Sequence, residues 1–512
     1  MNPLDRTIAA LFPGWALQRA KARHVLKAYE AADETRLRKP RRNNRSGNAA
    51  VKSDGRKLRQ SARGLDEDHD LVVGVLDTFT ANTVGAVGIQ VEPQPRRTNG
   101  EIHAELAEQI QEARRDWLLK PEVTWQHDNA AMERLICLSW ARDGEVFGQH
   151  LSGMIPTLDH GTRIPYSVEL IEADLCPIIF DDASQGIEQG VEHNAWGRPR
   201  AYHFYLRHPG DISGFQFASL GATKRVAAAN VQHVKLTRRI GQLRGITLLA
   251  PVLNRLQDLK EYEDAERIAA KIASAMAMYV QKGTPELFQD MSDSEEEDEA
   301  GRRLHQVAPG MMWVDLEAGE QVGTIDTSRP SNLLHPFRES MLRAVASGTR
   351  TGYSSIARSY DGTYSAQRQE LVEQYMHYAA AQCHFVSQWT RPVYMRFLAT
   401  AIAARQIRIP DDVDPLTIDD AEYLGPVMPW IDPAKEAQAN LILVQAGFKS
   451  RTQVIRERGG NPQHVDNEIL RERASTAERE LVFSSDYANS APNQMAIDFN
   501  DSEQMSGERD AA

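Results

Sequence analysis

Cysteine is scarce: Cys137, Cys176 and Cys383 are the only three in 512 residues, far apart and without a CxxC pair. That spacing excludes a disulfide scaffold and the usual zinc-ligand sets, so all three are expected to be reduced core residues. Long apolar runs are missing too, and no stretch approaches the ~20 apolar residues needed to cross a membrane. The patch from Ile8 to Leu17 is broken by Pro13 and Gly14 and has its positive charges after it, which does not fit a signal peptide, so no export is expected. Net positive charge is absent: 59 Lys and Arg against 71 Asp and Glu leave a formal charge of -12. This excludes a general coat for nucleic acid, because such affinity comes from cations that displace counterions from phosphates. Any nucleic-acid contact must be local or weak.

Catalytic motifs are lacking as well. No GxxxxGK[ST] loop cradles phosphates, no GxSxG turn presents a nucleophile and no HExxH helix binds zinc. Carboxylate pairs exist at Asp181 and Asp182, Asp411 and Asp412, and Asp419 and Asp420, but turn-like surroundings give them the reading of surface loops. We assign no catalytic residue, no cofactor and no metal from the sequence. The acidic run Asp293 to Glu299 has neither the glycine nor the ordered ligand spacing of a calcium loop and reads as solvated.

What is present is length and pattern. At 512 residues the chain exceeds one ordinary core and fits about two to four domains or one multi-part subunit. From Arg19 to Arg63 there are fifteen Lys or Arg against four acids, and Pro40 to Gly64 is poor in apolar residues, so this region reads as a mobile basic arm. From Asp66 the pattern turns helical, with Leu71, Val72, Val75, Leu76 and Phe79 on one face. Amphipathic stretches follow at Glu101 to Leu119 and Asn129 to Ala141. Then Pro165 to Leu175, Gly186 to His193, Arg200 to Leu206 and Asn230 to Thr237 are short β-rich runs, with a turn at Asn194 to Gly197. The fold class read from this is α+β.

A long apolar stripe runs from Pro251 through Leu253, Leu256, Leu259, Tyr262, Ala265, Ile268, Ile272 and Met276 to Val280, and Gly283 and Pro285 stop it. It predicts one helix of ~30 residues, a rod of roughly 45 Å. A β-like stretch covers Met311 to Ile325, and a helix is predicted from Leu333 or Pro336 to Ser347. Thr349 to Gly362 reads as a polar loop. A second long helix is predicted from Tyr364 past Trp389, kinked by Pro392. Short helices from Pro433 to Arg479 close the ordered part, and the chain beyond Ser484 reads as disordered.

Several of these segments resemble the lambda-type tailed-phage portal family, in order along the chain. Arg142-Asp-Gly-Glu-Val-Phe147 is similar to its DGE segment, Leu170-Ile-Glu-Ala-Asp-Leu175 to its IEpDrl segment, and Gly190-Val-Glu-His-Asn-Ala-Trp-Gly-Arg-Pro199 to its GVExDxxGRP hairpin. Gly241-Gln-Leu-Arg-Gly245 resembles the GQxRG approach to the stem, Gly352-Tyr-Ser-Ser355 with Tyr364-Ser-Ala-Gln-Arg368 the YSSxR region, and Ile431-Asp-Pro-Ala-Lys-Glu-Ala437 the DPxKEa element.

The resemblance implies a non-enzymatic subunit of a closed, dodecameric ring at one capsid vertex, present in the virion and in the host cytoplasm during assembly. It implies an α/β wing at 66–250 and 364–431, a stem at 251–283 and 331–348, and a β-containing clip at 284–330. The tunnel loop would be 349–363 and a helical crown 432–480, between a basic arm at 1–65 and a tail at 481–512. The implied partners are copies of itself, double-stranded DNA in the channel, the terminase large subunit, head-tail adaptor proteins and the major capsid protein or scaffold, with no membrane. In the tunnel loop, Arg350, Tyr353, Arg358 and Tyr360 are the candidates for DNA contact, against the alternative of a surface loop buried by neighbouring subunits. Two other classes stay open: another non-enzymatic minor capsid or scaffold protein, and a nuclease or protease with an unrecognised site.

Overall fold

The computed structural model describes residues 13–15, 44–211, 223–274, 278–282, 320–324, 334–428 and 432–478. The chain divides into two units, Met1–Ala50 and Val51–Ala512. In the first, residues 13–15 and 47–50 are helical. The second holds every element that positions a candidate site.

Helix α1 (Gly47–Asp68) overturns the expectation of a mobile arm reaching to Gly64. Val51, Gly55, Arg59, Ala62 and Leu65 are buried, three or four positions apart as one helix face requires. That stripe is thin and contains an arginine, so composition concealed it. Helix α2 (Asp70–Thr83) buries Leu71, Val72, Val75, Leu76 and Phe79, the face its spacing predicted. Strand β1 (Gln90–Pro93), helix α3 (Ala104–Trp117) and helix α4 (Asn129–Asp143) follow. Side-chain caps start both helices: His103 accepts from the N–H of Leu106, and Asp128 from that of Ala131.

The β-rich region contains β2 (Glu145–Ser152), β3 (Tyr166–Ile171), β4 (Ile187–Glu188), β5 (Val191–His193), β6 (Pro199–Tyr205), β7 (Thr223–Ala227) and β8 (Val231–Lys235). Two sheets result, β3-β2-β8 and β4-β5-β6-β7, with every pairing antiparallel. Strand β2 divides two cores, because alternate side chains point to opposite faces. Val146 joins the large core built by α2, α4 and the later helices, while Phe147 joins a smaller one with Tyr202, Phe204 and Val226. Gly148 on β2 has to lack a side chain, since a Cβ there would lie 2.6 Å from the Trp389 ring.

Helix α5 (Leu253–Ser274) is shorter than the predicted rod, at roughly 33 Å for its 22 residues. The end of the stripe, Met278–Lys282, is instead strand β9, paired antiparallel with β10 (Glu320–Thr324), Val280 opposite Val322. Apolar residues every third or fourth position cannot by themselves separate a helix end from a short strand. The β-like stretch at Met311 to Ile325 is described only at β10, and the acidic run Asp293 to Glu299 lies outside the described residues. Helix α6 (Leu334–Thr349) packs on α5, where Arg338 donates to Glu263 at 2.7 Å, and buries Leu342, Val345 and Ala346.

After α7 (Tyr353–Ala357), helix α8 (Tyr364–Phe385) runs through a π-helical turn, Val386–Thr390, into α9 (Arg391–Ala403). The irregularity expected at Pro392 therefore lies one turn upstream. Pro392 has no N–H, so the Gln388 carbonyl lacks its helical donor, and the side-chain amide of Gln232 donates to it instead. Strand β11 (Ala421–Leu424) returns to pair with β1, and α10 (Pro433–Gln445), α11 (Arg451–Glu457) and α12 (Pro462–Glu478) follow. Helices α10 and α11 contain no buried residue. Arg456 of α11 donates to Glu92 of β1 at 3.1 and 3.3 Å. Of the cysteines, Cys137 and Cys176 are buried as expected, whereas Cys383 on α8 is exposed.

Candidate functional site

Two of the sequence segments singled out above meet at the centre of the fold. Asp143-Gly144-Glu145 ends α4 and starts β2, and Gly241 to Gly245 precedes α5; the structure joins them through one carboxylate. Glu145 is fully buried and accepts from the Arg244 Nε at 2.9 and 3.0 Å, the Arg244 Nη2 at 2.7 Å and the Gly245 N–H at 2.9 Å. Arg59 of α1 adds a donor at 2.7 Å, and His233 of β8 lies at 3.1 Å. Burial alone would raise the Glu145 carboxyl, but the Arg244 and Arg59 charges and the His233 contact hold it well below the usual carboxylate range. His233, pushed down to about 4 by burial, stays neutral.

Backbones meet here as closely as side chains. Gly144 takes φ +88, and a Cβ on Gly245 would fall 2.0 Å from the Gly144 carbonyl oxygen. A second layer surrounds the first: Arg63 donates to Asp143 at 2.8 and 2.9 Å and to Asp174 at 2.5 Å, and Arg142 donates to Asp66 at 3.1 Å. Four arginines thus face Asp66, Asp143, Glu145 and Asp174, a neutral set. With both Glu145 oxygens accepting and, among the cluster's donors, the buried Arg59 Nε left without a partner, the cluster fastens α1, β2, β8 and the approach to α5 together.

The candidate contact residues lie elsewhere, in the stretch from Thr349 to Thr363. The structure brings all four into this one segment but treats them differently. Arg350 and Arg358 are exposed, with φ of +60 and +52, and Tyr360 is 60% exposed. Tyr353 is half-buried against the large core, and the Arg343 guanidinium sits 5.4 Å from the centre of its ring. The predicted loop is therefore partly helical: Tyr353–Ala357 forms α7, pinned by buried Ile356.

The framework that holds this segment was not visible in the sequence. The Thr349 hydroxyl donates to the Val345 carbonyl at 2.9 Å and contacts Thr351 Oγ1 at 2.6 Å. Glu370 of α8 accepts from the Ser354 N–H at 3.0 Å and from its hydroxyl, capping the start of α7. Gln367 donates to the Tyr360 carbonyl, and Ser359 to Asp361 at 2.9 Å. A loop whose backbone is fixed at both ends can present cationic and phenolic side chains without ordering them at the moment of contact. Left-handed backbone at a non-glycine residue costs about 1–3 kcal/mol and persists only where the surroundings impose it.

Among the described residues, Glu172, Asp174 and His208 offer ligand atoms within 4.8 Å of one another, a grouping that could hold a metal. Both oxygens of Asp174 already accept from Arg59 and Arg63, so a cation there would sit against two guanidinium ions.

A family described as "Phage portal protein, lambda family" matches residues 33–382. The chain is 23% identical over 463 residues to a probable portal protein of Halomonas phage phiHAP-1, covering 87% of this chain and 86% of that one. It is 22% identical over 165 residues to portal protein B of Escherichia phage lambda, covering 31% of each. A chain in the virion of a native gene transfer agent particle superposes with a TM-score of 0.45 at 11% identity, covering 81% of this chain and 99% of that one.

Proposed function

Because this chain belongs to the lambda family of phage portal proteins, we propose that it closes into a dodecameric ring at one capsid vertex and forms the conduit for packaging and ejecting double-stranded DNA. The observation that carries ring closure is the uncovered half of the α5 stripe. Leu253, Leu256 and Leu259 are buried at its start, and Tyr262 meets Phe337 of α6 at 4.7 Å. Further along the same face Ala265 is exposed and Ile268 is 56% exposed. Identical helices packed around a closed axis cover such a stripe without a second kind of subunit.

In this reading the wing is 66–250 with 364–431, and the stem pairs α5 with α6. The clip spans 284–330 and includes β10, whose antiparallel partner β9 lies just ahead of it. Helices α10 to α12 form the crown within 432–480, ahead of the tail at 481–512, and the basic arm is the part of 1–65 that precedes α1. The wing gains α1 as a buried member through Arg59. The subunit is non-enzymatic: a separate terminase docks at the clip and hydrolyses the nucleotide, then head-tail adaptors replace it, with the capsid protein or scaffold around the rim. The ring resides in the virion and assembles in the host cytoplasm. No helix among the described residues is long and apolar enough to cross a membrane.

Arg350, Arg358 and Tyr360, with Tyr353 behind them, touch the DNA. Their number suits sliding. A wall with few cations per copy makes few phosphate contacts, and the net charge of -12 keeps the rest of the surface from gripping the duplex. The test is assembly of particles with Arg350→Ala, Arg358→Ala and Tyr360→Ala together. Loss of DNA retention with intact rings is expected; normal packaging and retention would remove this loop from the DNA path.

A further inference from the structure

Leu416 is 86% exposed in the middle of a short 3-10 turn, Pro415–Thr417, that precedes β11. The turn is fixed from below. Val413 is buried, the Asp414 carboxylate accepts from the Leu416 N–H at 3.0 Å, and the Asp414 N–H donates to the Arg96 carbonyl at 2.9 Å. The Thr417 hydroxyl accepts from the Arg96 N–H at 2.9 Å. An apolar side chain presented on so rigid a turn is ordered before any contact is made. Acids flank it: residues 410–420 hold five aspartates and no Lys or Arg. Asp412 pairs with Arg97 at 3.3 Å, whereas Asp411, Asp419 and Asp420 are exposed and form no ion pair with a described residue.

A surface of the opposite character lies where the turn joining β2 to β3 faces α9. There a cleft of about 770 Å³ is lined by Met154, Leu158, Pro165, Ala399 and Ala403, with room for several side chains. His160 holds that turn from within, its Nδ1 2.9 Å from the Ser167 hydroxyl and its Nε2 2.9 Å from the Gly153 carbonyl. Met154, an adaptable side chain, is 92% exposed at the edge. Arg163 is exposed and forms no hydrogen bond or ion pair with a described residue, and Arg396 donates to the Ala229 carbonyl but pairs with no carboxylate among them. The carboxylate in the lining, Asp159, is engaged by the Gly161 N–H at 2.9 Å. An apolar knob among unpaired acids and an apolar cleft beside unpaired cations are complementary to each other and not to themselves. Copies joined through them meet head to tail, the kind of contact that a closed ring repeats.

We propose that Leu416 of one copy seats in this cleft on the next copy, against Met154, Leu158 and Ala403, with Asp411 and Asp419 beside Arg163 and Arg396. The contact rests on the ring reading above and adds to it a place outside the stem where one subunit grips its neighbour. The test uses the full chain with Cys383→Ser, so that no exposed native thiol competes, carrying Met154→Cys and Pro415→Cys, which leaves Leu416 in place. Under mild oxidation a ladder of covalent multimers should form on a non-reducing gel at least tenfold faster than with Trp196→Cys, a second exposed site, in place of Met154→Cys. Adding Arg163→Glu should remove that advantage, and adding Asp411→Lys with Asp419→Lys to this variant should restore it. The mass of the Cys383→Ser parent, from light scattering, separates this contact from ring closure itself. A ring-sized parent whose cysteine pair gives no ladder, gives disulfides only within single chains, or gives a ladder unaffected by the charge reversals would overturn the contact and leave the ring standing. A parent that stays monomeric would overturn both.

Discussion

Replacing Glu145 by glutamine keeps the shape of the side chain and removes one charge from the most buried ionic cluster in the fold. In the native chain this carboxylate faces Arg244 and Arg59, both buried, and its contacts are all 3.1 Å or shorter. After Glu145→Gln, one oxygen still accepts from Arg244 or Gly245, but the new amide directs its own donors at a guanidinium. Breaking a buried pair by removing one partner costs about 3–5 kcal/mol, because the remaining charge has neither water nor counter-ion. A loss of about 4 kcal/mol is a large share of the roughly 5–15 kcal/mol by which domains are stable. Urea unfolding followed through the buried Trp117, Trp140 and Trp389 reads it directly. Arg225→Ala serves as the control, since the Arg225 and Glu192 pair is 2.8 Å long but its arginine is 55% exposed, and such pairs contribute about 0.2–1 kcal/mol. Glu145→Gln together with Arg244→Met should be less damaging than the two single changes added. A Glu145→Gln chain within about 1 kcal/mol of the parent would refute the claim that this cluster fastens the elements around it.

Other consequences are smaller in scope. Gly245→Ala places a Cβ 2.0 Å from the Gly144 carbonyl oxygen, backbone that cannot swing aside, and should cost more than about 2 kcal/mol in the same unfolding experiment. Glu133 gives a pH dependence of opposite sign to that of Glu145. Burial pushes its carboxyl up to about 7, above the ordinary glutamate range, against the pull of the Ile89 N–H, the Arg114 charge and the Thr390 hydroxyl. The folded chain therefore holds this proton more tightly than the unfolded one. The stability it contributes is present in acid and is lost as pH rises through about 7. The Glu133→Gln chain should accordingly gain stability relative to the parent between pH 5 and pH 8; a constant difference across that range would contradict the assignment.

How much of this was legible in the sequence varies with the element. The α2 face was readable because five apolar side chains repeat at helical spacing, and α4, β3 and β8 were placed close to their final bounds for the same kind of reason. Strands β1 and β11 were missed: each has four residues and no marked alternation, and each exists only because the other lies beside it across more than 300 residues of chain. Helix α1 was misread because its inner face includes Arg59, whose burial makes sense only once Glu145 and Asp174 are seen to receive it. The segments around Gly144 and Gly245 stood out as motifs, yet nothing in either announces the other as partner. The candidate loop was located, but its helical turn and its fastening by Glu370 and Gln367 depend on α8 folding back against it.

The claim that these subunits close into a ring through their stem helices is tested most directly by the mass of the purified assembly, from light scattering, with negative-stain images of the same fraction. Twelve subunits of 57.4 kDa predict about 690 kDa and particles with a central hole, and Ile268→Glu on the uncovered face of α5 should reduce that mass while leaving the monomer folded. A large ring that Ile268→Glu leaves intact, or a chain that stays a compact monomer at all concentrations, would contradict it.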